Sequence, residues 1–266
     1  MPSALNPIRI SLIGAGNVAT RLGLRLVERG FEIRQVWSAR FSNARALAEQ
    51  LGAQPVDSLT GLSSGSDFYV YAVKDDALPQ TVSLVQVQDG IHLHTAGAVG
   101  IDVFKDTKPR FGVLYPMQTF SKERNVPFDH LPLFIEASSP DVERSVLSLA
   151  RRLSDSVYRC DSNQRRVLHL AAVFCCNFPN LLYDIAAQLL SQTSVPFETM
   201  LPLMRETIDK LSFLSPREAQ TGPAVRGDRH AMARHLELLQ GDKDTQDIYR
   251  LLSDAISKRK LQSDGQ

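Results

Sequence analysis

The residues best suited to chemistry fall at a few separated places along the chain. "LIGAGNVA" sets Gly14, Gly16 and Ala19 at the spacing G-x-G-x-x-A, straight after a strand-like run and opening a helix-like one. In that setting the first glycine permits a tight turn and the second lets the backbone approach a pyrophosphate. The small third residue lets the helix pack on the strand. The backbone of Gly14, Ala15, Gly16, Asn17 and Val18 would then meet the phosphates at a helix N-terminus. The competing readings are a glycine turn that binds nothing and an S-adenosylmethionine site on a related sheet. The strand-loop-helix order favours a dinucleotide.

A second group follows the next strand. An NAD site carries an acidic residue ~20 residues after the glycine loop to hold the ribose hydroxyls. This chain reads "WSARFSNAR" there, with Ser38, Arg40 and Ser42 and no acid. Hydroxyls and a guanidinium suit a 2′-phosphate, which arginine can grip with two hydrogen bonds, so NADP is expected over NAD. The plainer alternative is that Arg40 begins a solvated helix.

The third group is "HLHTAGAVG", at the end of the fifth strand-like run. Thr95, Ala96 and Gly97 are small enough to let a nicotinamide ring lie close to the backbone. Ala72 and Val73, in "AVKDDALP" at the end of the fourth, should line the cofactor's far side, since ligands gather at the carboxyl ends of parallel strands. Hydride transfer also needs a group to protonate or polarise the atom where charge changes. His94 is one candidate, set against a strand-end histidine satisfied by a backbone carbonyl.

Further along, His169, Asn177, Asn180 and Asp184 share one face of an otherwise apolar helix at ~100° per residue. Asn177 and Asn180 either reach a substrate pocket or seal a polar seam between helices. Pro179 should kink this helix and free a carbonyl near Asn177. In "QTGPAVRGDRHAMARHLELL", Gly222 and Pro223 would fix a turn and Asp228 would cap the helix from about Arg229. Arg226 is then a cation available to a substrate carboxylate or to an acid across a dimer interface. With no export signal in view, its Arg-Gly-Asp tripeptide is not read as an adhesion tag.

The elements that must position these groups alternate short apolar runs with amphipathic ones. "IRISLIG", "FEIRQVWS", a short run near Gln54–Val56, "DFYVYAV" and "GIHLHT" read as strands with helices between them, the second helix closing at Gly52. "RFGVLYP", "LPLFIEA" and "SVYRC" should extend the sheet, with one helix at Asp141–Leu153. From Asp161 onward only helical spacing appears. The fold class is therefore α/β, a Rossmann-type mainly parallel sheet followed by an all-α domain. The expected domains are 1–160, binding dinucleotide, and 161–266, serving substrate and dimerisation.

Composition narrows the functions. With 43% hydrophobic residues, 22% charged and a net charge of +1, the chain offers no electrostatic case for nucleic acid or an anionic membrane. The doublet Arg165-Arg166 and the terminal "SKRK" read as solvated faces. No export signal opens the chain and no apolar stretch reaches the ~18–20 residues of a spanning helix, so a cytoplasmic location is expected. Cys160, Cys175 and Cys176 fit neither a disulfide framework nor a metal site and are expected to be buried thiols.

Taken together, "GAGNVA", "AVKDDALP", "HTAGAVG", "GVLYPMQTFS", "HLAAVFCCNFPNLLY" and "QTGPAVRGD" resemble a family of NADP-dependent oxidoreductases. Its members join a Rossmann-like domain to a helical domain of unknown function. The wider group it is similar to includes pyrroline-5-carboxylate reductase, the deazaflavin-dependent NADP reductases and the β-hydroxyacid dehydrogenases. The resemblance implies a strand-5 Ala96-Gly97 beneath the nicotinamide, and pocket segments near "CNFPN" and "TGPAVRGD". It also implies a homodimer paired through the helical domain. The last two motifs differ from those of pyrroline-5-carboxylate reductase, and no counterpart of the β-hydroxyacid dehydrogenase lysine is evident. Other branches of the nearer family carry histidine in place of Tyr115 and serine in place of Ala96.

The expected function is NADP(H)-dependent hydride transfer to or from a small C=N or C=O substrate in the cleft between the domains. The alternative from another class is an NADP(H)-binding sensor or regulatory protein that turns nothing over. A methyltransferase is a third reading.

Overall fold

The computed structural model describes residues 7–264, with side chains through Lys260. Residues 1–6, which entered the reading for an export signal, lie outside the described residues. The chain divides into two compact units, Met1–Asn177 and Phe178–Gln266. Composition changes from mixed to all-helical near Cys160, whereas packing divides the chain at Asn177, so the helix Ser162–Ala172 belongs to the first unit.

The first unit is an eight-stranded sheet flanked by helices. In chain order its elements are β1 (Arg9–Ile13), α1 (Asn17–Glu28), β2 (Glu32–Trp37), α2 (Phe41–Leu51), β3 (Gln54–Val56), β4 (Phe68–Tyr71), α3 (Leu78–Leu84) and β5 (Ile91–His94). They continue with β6 (Phe111–Pro116), β7 (Leu133–Ala137), α4 (Pro140–Leu153), β8 (Val157–Arg159) and α5 (Ser162–Ala172). The strands lie in the order 3-2-1-4-5-6-7-8, all parallel to their neighbours except for the antiparallel pair β6 and β7. All eight strands expected from the sequence are present.

Alternation along the strands builds two apolar layers. Ile10 and Leu12 of β1, Phe68 and Val70 of β4, and Ile91 and Leu93 of β5 pack with α1, α2 and α4. Ile13, Tyr69 and Tyr71 pack on the other face with Leu78 and Val82 of α3 and with Phe104. Phe104 ends a short 3-10 turn, Ile101–Phe104, that the sequence reading did not anticipate. Local signals set the helix ends: the Ser139 hydroxyl accepts from the Val142 N–H ahead of α4, and Asp161 and Gln164 form a reciprocal capping box on α5.

The second unit holds α6 (Phe178–Leu190), α7 (Leu201–Asp209), α8 (Pro223–Arg226), α9 (Arg229–Leu238) and α10 (Lys243–Asp264). Among its described residues the buried apolar side chains are Ala219, Ala224 and Leu239. Asp228 caps α9 as expected, its carboxylate accepting from the Ala231 N–H at 3.0 Å, and Pro223 opens the short α8.

Three expectations need correction. Arg165 is not solvated: it is fully buried, where its guanidinium pairs with the Glu136 carboxylate. The second charge of the doublet, Arg166, is exposed, because adjacent helical residues point to different sides. Cys160 is buried, but Cys175 and Cys176 are exposed in a π-helical turn, Val173–Asn177. That turn precedes Pro179, which has no N–H for the carbonyl four residues back. Finally, the helical run Ser162–Leu190 is by length and composition long and apolar enough to cross a membrane, and its most apolar window is not buried.

Candidate functional site

The carboxyl ends of β1, β4 and β5, adjacent in the sheet, bring three of the predicted segments to one edge. Gly14 follows β1 with φ of +127°, and its N–H donates to the Trp37 carbonyl at 2.7 Å. A Cβ there would lie 2.2 Å from the Ala72 carbonyl oxygen, so only glycine lets the loop pass this close to the end of β4. Around Gly16 there is open space, with nothing within 4 Å of where a Cβ would stand. No side chain caps α1, whose first residue is Asn17. Ala19 is fully buried, as helix-on-strand packing demands. An uncapped helix start behind an open glycine is what a pyrophosphate requires.

At the end of β2, Ser38 is half-buried and Arg40 is exposed, directly before α2. The Arg40 carbonyl accepts from the Asn43 and Ala44 N–H groups, while its guanidinium makes no ion pair or hydrogen bond among the described residues and is available to a phosphate. Ala72 and Val73 follow β4 beside Gly14. Thr95 is anchored by its N–H to the Tyr71 carbonyl at 3.1 Å, and Ala96 is buried next to it. All the predicted cofactor residues after β1, β2, β4 and β5 thus stand at the carboxyl side of the sheet.

His94 does not face that edge. Strand alternation sends it, with His92, into the layer of Tyr71 and Phe104, where it is fully buried. Its Nδ1 accepts from the Ala96 N–H at 3.2 Å, which leaves the proton on Nε2, beside the Gly100 backbone but without a hydrogen bond. Burial, with the Arg165 charge assisting, lowers its pKa to about 3. A neutral ring sealed from water is a brace for the Ala96 turn, and this corrects the expectation of a proton donor.

The group that does meet the Gly97 backbone is His169, from α5. A Cβ on Gly97 would lie 2.5 Å from its Nδ1 and 2.8 Å from its Cγ. The same Nδ1 is 3.2 Å from the hydroxyl of Tyr115, near the end of β6. Burial raises the Tyr115 pKa, helped by Asp75 and Cys176 and opposed by Arg165, so the phenol stays protonated. One turn before His169, Arg165 donates to Glu136 and, at 2.7 Å, to the Val99 carbonyl. Ser162 donates to both Glu136 oxygens and accepts from the Ile101 N–H. This network ties the start of α5 to β7 and to the segment after Gly97, which sets where His169 stands.

Two family models and several solved structures match the chain. Residues 9–93 match the model of a family described as "NADP oxidoreductase coenzyme F420-dependent", and residues 131–256 match "Domain of unknown function (DUF2520)". The crystal structure of BF3122 from Bacteroides fragilis, assigned as an NADP oxidoreductase, is 42% identical, with 95% of this chain and 98% of that one covered and a TM-score of 0.91. The chain belongs to this family. Its members join a Rossmann-type sheet domain to a helical region, and the fold is that of NADP(H)-binding oxidoreductases.

Two more distant structures share that fold. An imine reductase from Myxococcus stipitatus in complex with NADP+ is 16% identical, with 94% and 92% of the two chains covered and a TM-score of 0.63. A 1-pyrroline-5-carboxylate reductase from Streptococcus pyogenes is 14% identical, with 96% and 100% covered and a TM-score of 0.63. No curated protein matches the chain in sequence.

The other predicted residues are not brought together in the same way. Asn177 is exposed and ends both the π-helical turn and the first unit. Asn180 and Arg226 are exposed residues of the second unit. Because the π-helical turn winds differently, ~100° per residue no longer gives the relative phase of His169 and Asn180. Sequence reasoning noticed His169 and Tyr115 without assigning either one. The usable signal was a tyrosine near the carboxyl end of the strand next to β5. Also missed was the strap formed by Asn17 and Arg21 of α1, whose side chains donate to the carbonyls of Phe120, Ser121 and Lys122.

Proposed function

We propose that the protein is an NADPH-dependent reductase of a small C=N or C=O substrate. The observation that carries this reading is the shared edge of adjacent parallel strands. There the open Gly16, the uncapped start of α1 and the small Thr95-Ala96-Gly97 turn lie in line. Bound NADPH supplies the hydride. Gly14, Ala15, Gly16, Asn17 and Val18 would hold its pyrophosphate, Ser38 and Arg40 its 2′-phosphate, and Ala72, Val73, Thr95, Ala96 and Gly97 the nicotinamide end. The C=N preference is supported by the imine reductase and pyrroline-5-carboxylate reductase that share the fold.

Asn177, Asn180 and Arg226 are proposed as substrate-side groups, the cation suiting a carboxylate. The assembly is proposed to be a homodimer through the helical unit. The test is NADPH oxidation across a panel of imines, 2-oxo acids and aldehydes, with binding followed through Trp37, the only tryptophan. Turnover of a C=N compound with NADPH supports the reading. Tight NADPH binding without turnover of any member points to the sensor reading instead.

A further inference from the structure

We infer that His169 is the proton donor of this reductase and that Tyr115 is the residue that orients it. The inference rests on the reductase reading and deepens it. Three observations carry it. The imidazole lies on the Gly97 backbone, so closely that a methyl group there would meet Nδ1 at 2.5 Å. The Tyr115 hydroxyl holds that same Nδ1 at 3.2 Å and meets the ring edge-on. Nε2 makes no hydrogen bond among the described residues, and the side chain is half-buried, so the ring keeps access to water. His94, the other histidine at this strand end, has none of that access.

Reducing C=N or C=O adds a hydride to carbon and a proton to nitrogen or oxygen. The hydride comes from NADPH and the proton from the Nε2–H of the His169 imidazolium. That N–H bond breaks as the substrate N–H or O–H bond forms. The neutral ring keeps its Nδ1–H, donated to the Tyr115 oxygen, and regains the Nε2 proton from water. The lone pairs of the neutral Tyr115 hydroxyl accept throughout. Asp75 after β4, Arg165 on α5, Cys176 in the π-helical turn and Tyr115 itself are the charged or titratable groups around the pair.

The full-length protein allows two readouts. The His169 Cε1–H resonance, assigned by its loss in His169→Gln, should shift with saturating NADP+ and should be displaced in Tyr115→Phe. A resonance indifferent to both overturns the inference. In steady state, His169→Gln should lower kcat by about 100-fold or more while NADPH affinity stays within about twofold. Tyr115→Phe should lower kcat less and displace the pH profile. An active wild type whose His169→Gln form keeps its kcat and pH profile overturns the proton donor alone. A wild type that reduces nothing on the panel overturns the reductase reading and the donor role with it.

Discussion

The strands and sheet-covering helices of the first unit and the helices of the second treat their apolar residues in opposite ways, and α5, with Val167 68% exposed, sides with the second. In the first, Leu22 and Leu26 of α1, Leu93 of β5 and Val146 of α4 are sealed completely, and both faces of the sheet are covered within that unit. In the second, Leu203, Phe213, Leu238 and Leu251 are 64, 87, 77 and 71% exposed. A parallel sheet must bury both faces to exist, so its chain carries the covering helices. A helix satisfies its own backbone and can leave its apolar stripe for another surface. Contiguous exposed apolar surface is characteristic of interaction sites, and we propose that a second copy of the chain covers these side chains.

Breaking the sheet unit should cost most. Glu136→Ala leaves the Arg165 charge buried and unpaired, a loss of about 3–5 kcal/mol in urea unfolding. The loss should not depend on protein concentration. A change below about 1 kcal/mol would mean that water reaches this pair.

The helical unit should respond differently. On a bare surface, Leu203→Glu and Phe213→Glu would change stability by about 0.5 kcal/mol or less. Covered by a second copy, they should dissociate the dimer, and the melting temperature should rise with concentration for the wild type but not for the variant. Sedimentation showing wild type and variant alike as monomers would remove the dimer.

Acid should separate the units as well. His92 and His94 have folded-state pKa values of about 3 because burial disfavours their charged forms. Unfolded histidine titrates near about 6.5. Below that value the unfolded chain binds protons the folded unit refuses, so this contribution is complete above about 6.5 and is lost as pH falls toward 3. The expected slope is about 1.4 kcal/mol per pH unit per histidine. Replacing both with glutamine should flatten it, and an unchanged slope would place the protons elsewhere.

The smallest expected effect is functional. Arg40→Ala should weaken NADPH binding about tenfold, or about 1.4 kcal/mol, and leave NADH unchanged. An equal loss for both cofactors would make Arg40 a general phosphate contact.

The sheet was legible because alternation with period two, glycine turns and capping residues all point the same way in a strand-helix repeat. The glycine loop was legible because its conformation, its neighbours and its chemistry impose the same residues. His94 was misassigned because a strand end looks exposed until the turn carrying Phe104 is laid over it. Arg165 was misread for a similar reason: its partner Glu136 lies 29 residues away in sequence, on β7. Cys175 and Cys176 were expected inside because their run is apolar, yet Val167, Leu170 and Phe174 along the same run are exposed as well. His169 gained meaning only when its ring was found on Gly97.

In the proposed reaction a hydride passes from NADPH to the C=N or C=O carbon of a small substrate. The direct measurement is mass spectrometry of products formed from the imine panel with NADPH deuterated at nicotinamide C4. Deuterium at the former C=N carbon of a product, reduced in yield by His169→Gln, is the predicted result. NADPH bound tightly with no label in any product would contradict the account.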